Sequence, residues 1–247
     1  MRFLCLPGAY GSAKNFQVQL APFCKELESD GTASFFFTQG TVECTPPPGF
    51  LDYFGPAPHY RFIEYDGINQ NDVLERVRDF PEGENAEDVL RELLPNGFGD
   101  LRKTVKGALD AVYRTMDEHG PFDGICAYSE GTVVASTLIM DEARQFERTG
   151  RPRRIARAIF FAGWPPLDPE SNQMVLVDTS DSIVDVPSCH VIGADDPYLQ
   201  GAMALYNVCD PDQAILFDHG KGHTIPRDAQ TLKELGDAIR GMRDLSF

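Results

Sequence analysis

Apolar positions along the chain fall into short runs, separated by longer stretches in which they recur every three or four residues. The short runs read as buried strands and the periodic stretches as amphipathic helices. Strands are predicted at 2–6, 33–38, 124–127, 158–162, 189–192 and 214–217. Helices are predicted at 15–28, 86–94, 101–118, 132–148, 198–208 and 227–242. In the third helix Leu101, Val105, Ala108, Leu109, Val112 and Met116 keep helical spacing and form a core-packing stripe. Strand and helix alternate, which predicts the α/β class: a mostly parallel sheet of about six strands with helices on both faces. A length of 247 residues suits one such domain, spanning 1–247.

One stretch, 39–66, breaks the rhythm. Pro46, Pro47, Pro48, Pro56 and Pro58 forbid a regular helix or a central strand there. Phe50, Tyr53, Phe54, Tyr60, Phe62 and Tyr65 nevertheless make it aromatic. It leaves the carboxyl end of the second strand, so it is expected to hang over the catalytic edge as a lid or substrate wall. The alternative is a packed surface loop.

The strongest chemical signal is Gly124-Ile125-Cys126-Ala127-Tyr128-Ser129-Glu130-Gly131-Thr132. An apolar strand runs straight into small-x-Ser-x-small and then into a helix, the pattern of a nucleophile elbow in an α/β-hydrolase fold. The turn is so sharp that the residues two before and two after the serine must be small, as Ala127 and Gly131 are. Ser129 is then held at a helix start, where amide dipoles favour an oxyanion. The competing interpretation is a serine that only caps a helix.

A nucleophilic serine needs a base, and in this fold the order is serine, acid, histidine. His223 lies after the last strand, between Gly222 and Pro226; His219 is its rival. His59 in the Pro-rich loop, His119 at a helix end and His190 within a strand are poorly placed. The acid should follow the preceding strand, where Asp195 and Asp196 adjoin; the Gly-x-x-Asp-Pro spacing favours Asp196, and Asp168 is a third option. Its task is to fix the imidazole tautomer and stabilise the imidazolium. The two oxyanion donors are expected to be the backbone N–H groups of Glu130 and of Ala9 in the turn after the first strand, with Tyr10 as alternate.

Composition narrows the function. A net charge of -16 argues against nucleic acid as partner. The arginines Arg151, Arg153, Arg154 and Arg157 precede a strand and so belong at the opposite edge of the sheet, in a structural or solvated role. No apolar run approaches the ~20 residues of a membrane span, and the first residues read as a buried strand rather than a signal peptide. Six scattered cysteines, without a C-x-x-C pair, suggest free thiols and no zinc site. A cytoplasmic enzyme without metal or cofactor is expected.

Together, Leu4-Cys5-Leu6-Pro7-Gly8, the loop from Gln39-Gly40 to Pro46-Pro47-Pro48-Gly49, Ala127-Tyr128-Ser129-Glu130-Gly131, Gly193-Ala194-Asp195-Asp196-Pro197 and Gly222-His223-Thr224-Ile225-Pro226 resemble the fungal "family of serine hydrolases" over essentially the whole chain. The Pro-rich aromatic loop and the Tyr-Ser-Glu-Gly elbow look most like the stand-alone thioesterases of fungal polyketide pathways, the lovastatin-pathway type. The chain departs from that pattern in having Ala127 for the usual glycine and Pro7 where many relatives have histidine. The resemblance implies release of a polyketide chain from an acyl-carrier domain of a highly reducing synthase. Tyr10, Tyr53, Phe54, Trp164 and Tyr198 are the expected substrate contacts, and Lys14 or Lys221 could meet a phosphopantetheine phosphate, unless each is simply a solvated lysine. Two other functions compete. One is a carboxylesterase for small oxyesters, which the family also contains. The other is a non-catalytic binding protein on the same scaffold, which would have no need of all three triad groups.

Overall fold

Successive side chains of a strand point to opposite faces, and each face of the central sheet finds its own helices. The computed structural model describes residues 1–47, 54–64, 83–93, 100–181 and 183–242. In chain order the elements are β1 (Arg2–Leu6), α1 (Ala13–Glu28), β2 (Ser34–Phe37), β3 (Val42–Cys44), β4 (His59–Arg61), α2 (Ala86–Leu93), α3 (Arg102–His119), β5 (Gly124–Tyr128), α4 (Glu130–Thr149), β6 (Ala158–Phe161), β7 (Leu167–Asp168), β8 (Gln173–Met174), β9 (Ser188–Ile192), α5 (Leu199–Asn207), β10 (Ala214–Asp218) and α6 (Ala229–Gly241).

Six strands form one sheet in the order β10-β9-β6-β5-β1-β2, and every neighbouring pair is parallel. This is the α/β-hydrolase class of architecture that the sequence predicts. From β1 the chain steps outward to β2, then returns to the other side of β1 to lay down β5. In open α/β sheets such a reversal marks the crevice, beyond the carboxyl ends here of β1 and β5, where ligands bind.

Alternation explains the two cores. Leu4, Leu6, Ile125, Ala127 and Phe160 face α3 and α4, among Val105, Val112, Val134 and Leu138. Phe3, Cys5, Cys126, Ile159 and Phe161 face α1 and α6, among Phe16, Leu20, Phe23 and Leu235. Cys5 and Cys126 are register partners in adjacent strands and behave as small apolar residues. All six cysteines are free thiols, and burial pushes that of Cys189 up to about 12.

α1 carries Pro22 in its interior. Proline has no N–H to give the carbonyl four residues back, and Arg227 Nη2 reaches that Val18 carbonyl at 3.4 Å. At the amino edge of the sheet Arg153 pairs with Asp185 through two bonds of 2.7 and 2.6 Å, and Arg154 with Glu142 and Asp117. These arginines are structural and lie away from the crevice, where the sequence placed them.

The predicted elements match within two residues at every end. Two hairpins were not foreseen. β3 pairs with β4 inside the Pro-rich stretch, and β7 pairs with β8. Neither lies in the central sheet, so the bar on proline in a central strand holds while the stretch is less irregular than expected. Among the described residues no helix is long and apolar enough to cross a membrane, and no cluster of His, Cys, Asp or Glu could hold a metal ion.

Candidate active site

Ser129 sits where β5 turns into α4. Its backbone is left-handed, φ 51° and ψ -121°, a strained state for a residue with a side chain, worth about 1–3 kcal/mol. Several bonds hold it there: Ser129 N–H donates to the Phe161 carbonyl at 3.0 Å, and the Ser129 carbonyl accepts from Thr132 N–H at 2.9 Å and Thr132 Oγ1 at 2.6 Å. Thr132 Oγ1 also accepts from Trp164 N–H at 2.7 Å, tying the loop after β6 to the elbow. Gly131 allows the tight fit: a Cβ there would fall 2.5 Å from the Pro7 carbonyl oxygen and 2.6 Å from that of Leu6.

The loops after β9 and β10 bring the other groups. His223 Nε2 lies 3.2 Å from Ser129 Oγ, and His223 Nδ1 lies 2.8 Å from Asp196 Oδ2. Asp196 is buried, with its side chain 2% exposed against 19% for that of His223. Its second oxygen, Oδ1, accepts from Tyr198 N–H at 2.8 Å, which fixes the carboxylate plane. The two loops touch backbone to backbone at Gly193, where a Cβ would lie 1.7 Å from the Lys221 carbonyl oxygen. Aromatic rings flank the imidazole: Tyr198 meets it edge-on at 5.0 Å and Tyr128 lies at 5.3 Å, with the Tyr128 hydroxyl donating to the His223 carbonyl at 3.1 Å.

The rival residues lie outside this run of hydrogen bonds. Asp168 pairs with Arg144 at 2.7 Å and accepts from Ser171. Asp195 is exposed. His219 packs against Gly193, its Nδ1 buried without a hydrogen-bond partner, and burial pushes its imidazole pKa down. His59 is buried and donates to the Gly55 carbonyl at 2.9 Å, while His190 is buried in β9 beside Ser188.

Of the expected substrate contacts, Tyr10 and Phe54 meet with ring centroids 5.0 Å apart, and Trp164 and Tyr198 lie 6.3 Å apart. Tyr53 lies outside the described residues. Ala9 and Tyr10 occupy the turn after β1, which the Gly11 N–H to Gly8 carbonyl bond closes at 3.1 Å. The Pro-rich stretch is stitched to this edge: Gln39 Oε1 accepts from Ala13 N–H at 3.0 Å, and Asn15 Nδ2 donates to the Phe54 carbonyl at 2.9 Å.

The sequence points to Glu130 only through its backbone N–H and gives Arg61 no role. The Glu130 carboxylate is buried, accepting from Arg61 Nη2 at 3.2 Å and from Phe62 N–H at 2.7 Å. Burial raises the Glu130 carboxyl pKa, against the opposing pull of Arg61 and the loop amides. A signal was present. Glu130 is the sole charged residue of α4 before Asp141, and Arg61 is the sole Lys or Arg between Lys25 and Arg76.

Comparison with known proteins agrees with this architecture. Residues 1–235 match the family model described as "Serine hydrolase (FSH1)". The hydrolase phiM of Talaromyces stipitatus is 26% identical over 252 residues, covering 100% of this chain and 88% of that protein. The esterase FPY3 of Fusarium mangiferae is 24% identical, covering 97% and 95%. The esterase mlcF of Penicillium citrinum is 23% identical, covering 94% and 85%. Among solved structures, SOBER1 of Arabidopsis thaliana superposes with a TM-score of 0.51 at 16% identity, over 99% of this chain and 100% of that one, a likeness of fold.

Proposed function

The chain belongs to the serine hydrolase (FSH1) family, and from that premise we propose that it is a thioesterase that frees a polyketide or related acyl chain from a carrier domain of a highly reducing polyketide synthase. The observation that carries this reading is the run of hydrogen bonds from Ser129 Oγ through His223 to Asp196, set at the carboxyl edge of the sheet. In it Ser129 Oγ attacks the acyl carbon while His223 Nε2 takes the hydroxyl proton. Asp196 holds the Nδ1–H tautomer and steadies the imidazolium. Backbone N–H groups of Ala9 and Glu130, with Tyr10 as alternate, receive the negative oxygen, helped by the N-terminus of α4. Collapse breaks the C–S bond, and the proton passes from His223 to the leaving thiol. Water then attacks the acyl-serine ester, giving its proton to His223, and Ser129 leaves with that proton. The sum is thioester plus water giving acid plus thiol, with no cofactor.

The thioester assignment draws on the Tyr-Ser-Glu-Gly elbow and the aromatic, Pro-rich stretch stitched to this edge. Tyr10, Phe54, Trp164 and Tyr198 would line the acyl path. Lys14, exposed on the first turn of α1, is the better candidate for a pantetheine phosphate, since Lys221 already pairs with Asp228 at 3.4 Å. Six free thiols support action in a reducing cytoplasm. A second reading, a carboxylesterase for small oxyesters, is favoured by the esterase names of the relatives FPY3 and mlcF.

Two measurements test this. A fluorophosphonate should add once to wild type and not to Ser129→Ala; equal labelling ends the triad assignment. Acyl thioesters from acetyl to decanoyl, with matched oxyesters, then divide the two readings. Burial of a methylene is worth about 0.8 kcal/mol, so kcat/KM should climb about fourfold per carbon until the path is full, with a flatter slope in Phe54→Ala. A flat wild-type profile, or preference for short oxyesters, assigns the chain to the carboxylesterases.

A further inference from the structure

The Glu130 side chain has a task separate from its backbone N–H. Its carboxylate, 6% exposed, receives the Arg61 guanidinium on one oxygen and the Phe62 N–H on the other. The same guanidinium lies over the Tyr10 ring, 5.6 Å from its centroid, and Tyr10 in turn packs on Phe54. Tyr10 and Ser129 both hold positive φ, 64° and 51°. Such residues persist only where their surroundings over-determine them. Arg61 therefore bears on both strained points at once, on Tyr10 directly and on Ser129 through the next residue, Glu130. Stability alone is a weak reason for this arrangement. A buried ion pair is commonly no more stable than packed apolar side chains of similar volume.

We propose that Arg61 is a positioning residue that clamps the two halves of the oxyanion site, holding the turn after β1 through Tyr10 and the nucleophile elbow through Glu130. The proposal rests on the serine-hydrolase reading above. It predicts that loss of the guanidinium harms the charged tetrahedral state far more than the bound substrate. Interactions made only in the transition state act on kcat and leave KM nearly alone.

The test uses the full chain as wild type, Arg61→Met, Arg61→Lys and Glu130→Gln. Each is assayed for hexanoyl-thioester hydrolysis and for inhibition by a hexyl trifluoromethyl ketone, which places a tetrahedral oxyanion on the serine. Arg61→Met should lower kcat by about 10- to 100-fold, short of the roughly 100- to 1,000-fold cost of losing an oxyanion donor outright. KM should stay within about threefold, and the ketone should bind more weakly by the same factor as kcat. Arg61→Lys, which keeps a charge for Glu130, should recover at least a tenth of wild-type kcat. If Arg61→Met does not fold, Arg61→Lys and Glu130→Gln, which retain hydrogen-bonding groups at the pair, carry the same comparison with smaller losses. Unchanged kcat and ketone affinity would overturn the clamp, as would a rise in KM at constant kcat, which would make Arg61 a wall of the substrate path. Turnover surviving in a parallel Ser129→Ala control would instead remove the serine-hydrolase reading, so the two failures are distinguishable.

Discussion

Replacing Gly131 by alanine adds one methyl group at the tightest point between the elbow and β1. That carbon would sit 2.5 Å from the Pro7 carbonyl oxygen and 2.6 Å from that of Leu6, whereas real Cβ contacts essentially never fall below 3.0 Å. The gap of 3.0 minus 2.5 sets a minimum displacement of about 0.5 Å, and the obstacle is main chain, with no side chain to swing aside. Ser129 is two residues away and the turn bearing Ala9 and Tyr10 begins at Pro7, so both halves of the site move apart. Overpacking of this kind costs about 1–3 kcal/mol, which lowers Tm by roughly 2–4 °C per kcal/mol in a chain of this size. Misplacement approaching 1 Å costs up to about 100-fold in rate. Gly107→Ala is the matched control: it lies in α3 with nothing within 4 Å of the added carbon, and should raise stability by about 0.5–1 kcal/mol with activity unchanged. Thermal melts and ester turnover on both variants check the reasoning. Wild-type Tm and kcat in Gly131→Ala would refute the interlock. A fallen Tm with intact kcat would show that the close fit of Gly131 on the Leu6 and Pro7 carbonyls does not govern the serine's position.

Asp196→Asn and His223→Ala should each lower turnover about 1,000-fold or more, while Asp195→Asn and His219→Ala stay within about tenfold; equal damage from Asp195→Asn would reassign the acid. His190 is buried in β9 and desolvation pushes its imidazole down to about 3. The folded state therefore binds fewer protons than the unfolded state between about pH 3 and about pH 6.5. Its contribution is complete above the unfolded value and is lost as pH falls toward 3, by up to about 1.4 kcal/mol per pH unit. Urea melts at about pH 7, 5.5 and 4.5 should show a shallower acid loss in His190→Gln than in wild type; identical slopes would contradict that burial.

The parts of the fold legible in the sequence are those with periodicity. Phe3/Cys5 and Leu4/Leu6 alternate because β1 is buried on both faces, and Val105 to Met116 repeat because α3 buries one stripe. The candidate site was legible where the chain concentrates it, at Ala127 to Gly131 and at Gly222 to Pro226. The β7–β8 hairpin has two residues per strand, too few for any period, and Pro165, Pro166 and Pro169 disguise it. α4 begins at Glu130 rather than Thr132 because the strained Ser129 delivers the chain directly into helical geometry. The Arg61–Glu130 pair joins residues 69 apart in sequence, and no local pattern encodes a partner at that distance.

The order β5-β6-β9-β10 in the sheet also governs when during folding the site can exist. Ser129 and His223 are 94 residues apart, and His223 and Asp196 are 27 apart. Three successive parallel pairings separate the serine's strand from the strand that presents the histidine. Parallel pairings close long loops before they gain contacts, which makes them slow steps in folding. A chain with β5 docked but β9 and β10 still loose carries Ser129 without His223 or Asp196 beside it. Completion of the sheet is thus the step that brings the three side chains together: until β9 and β10 have docked, the hydrogen bonds that link Ser129 to His223 and His223 to Asp196 have no frame to form in.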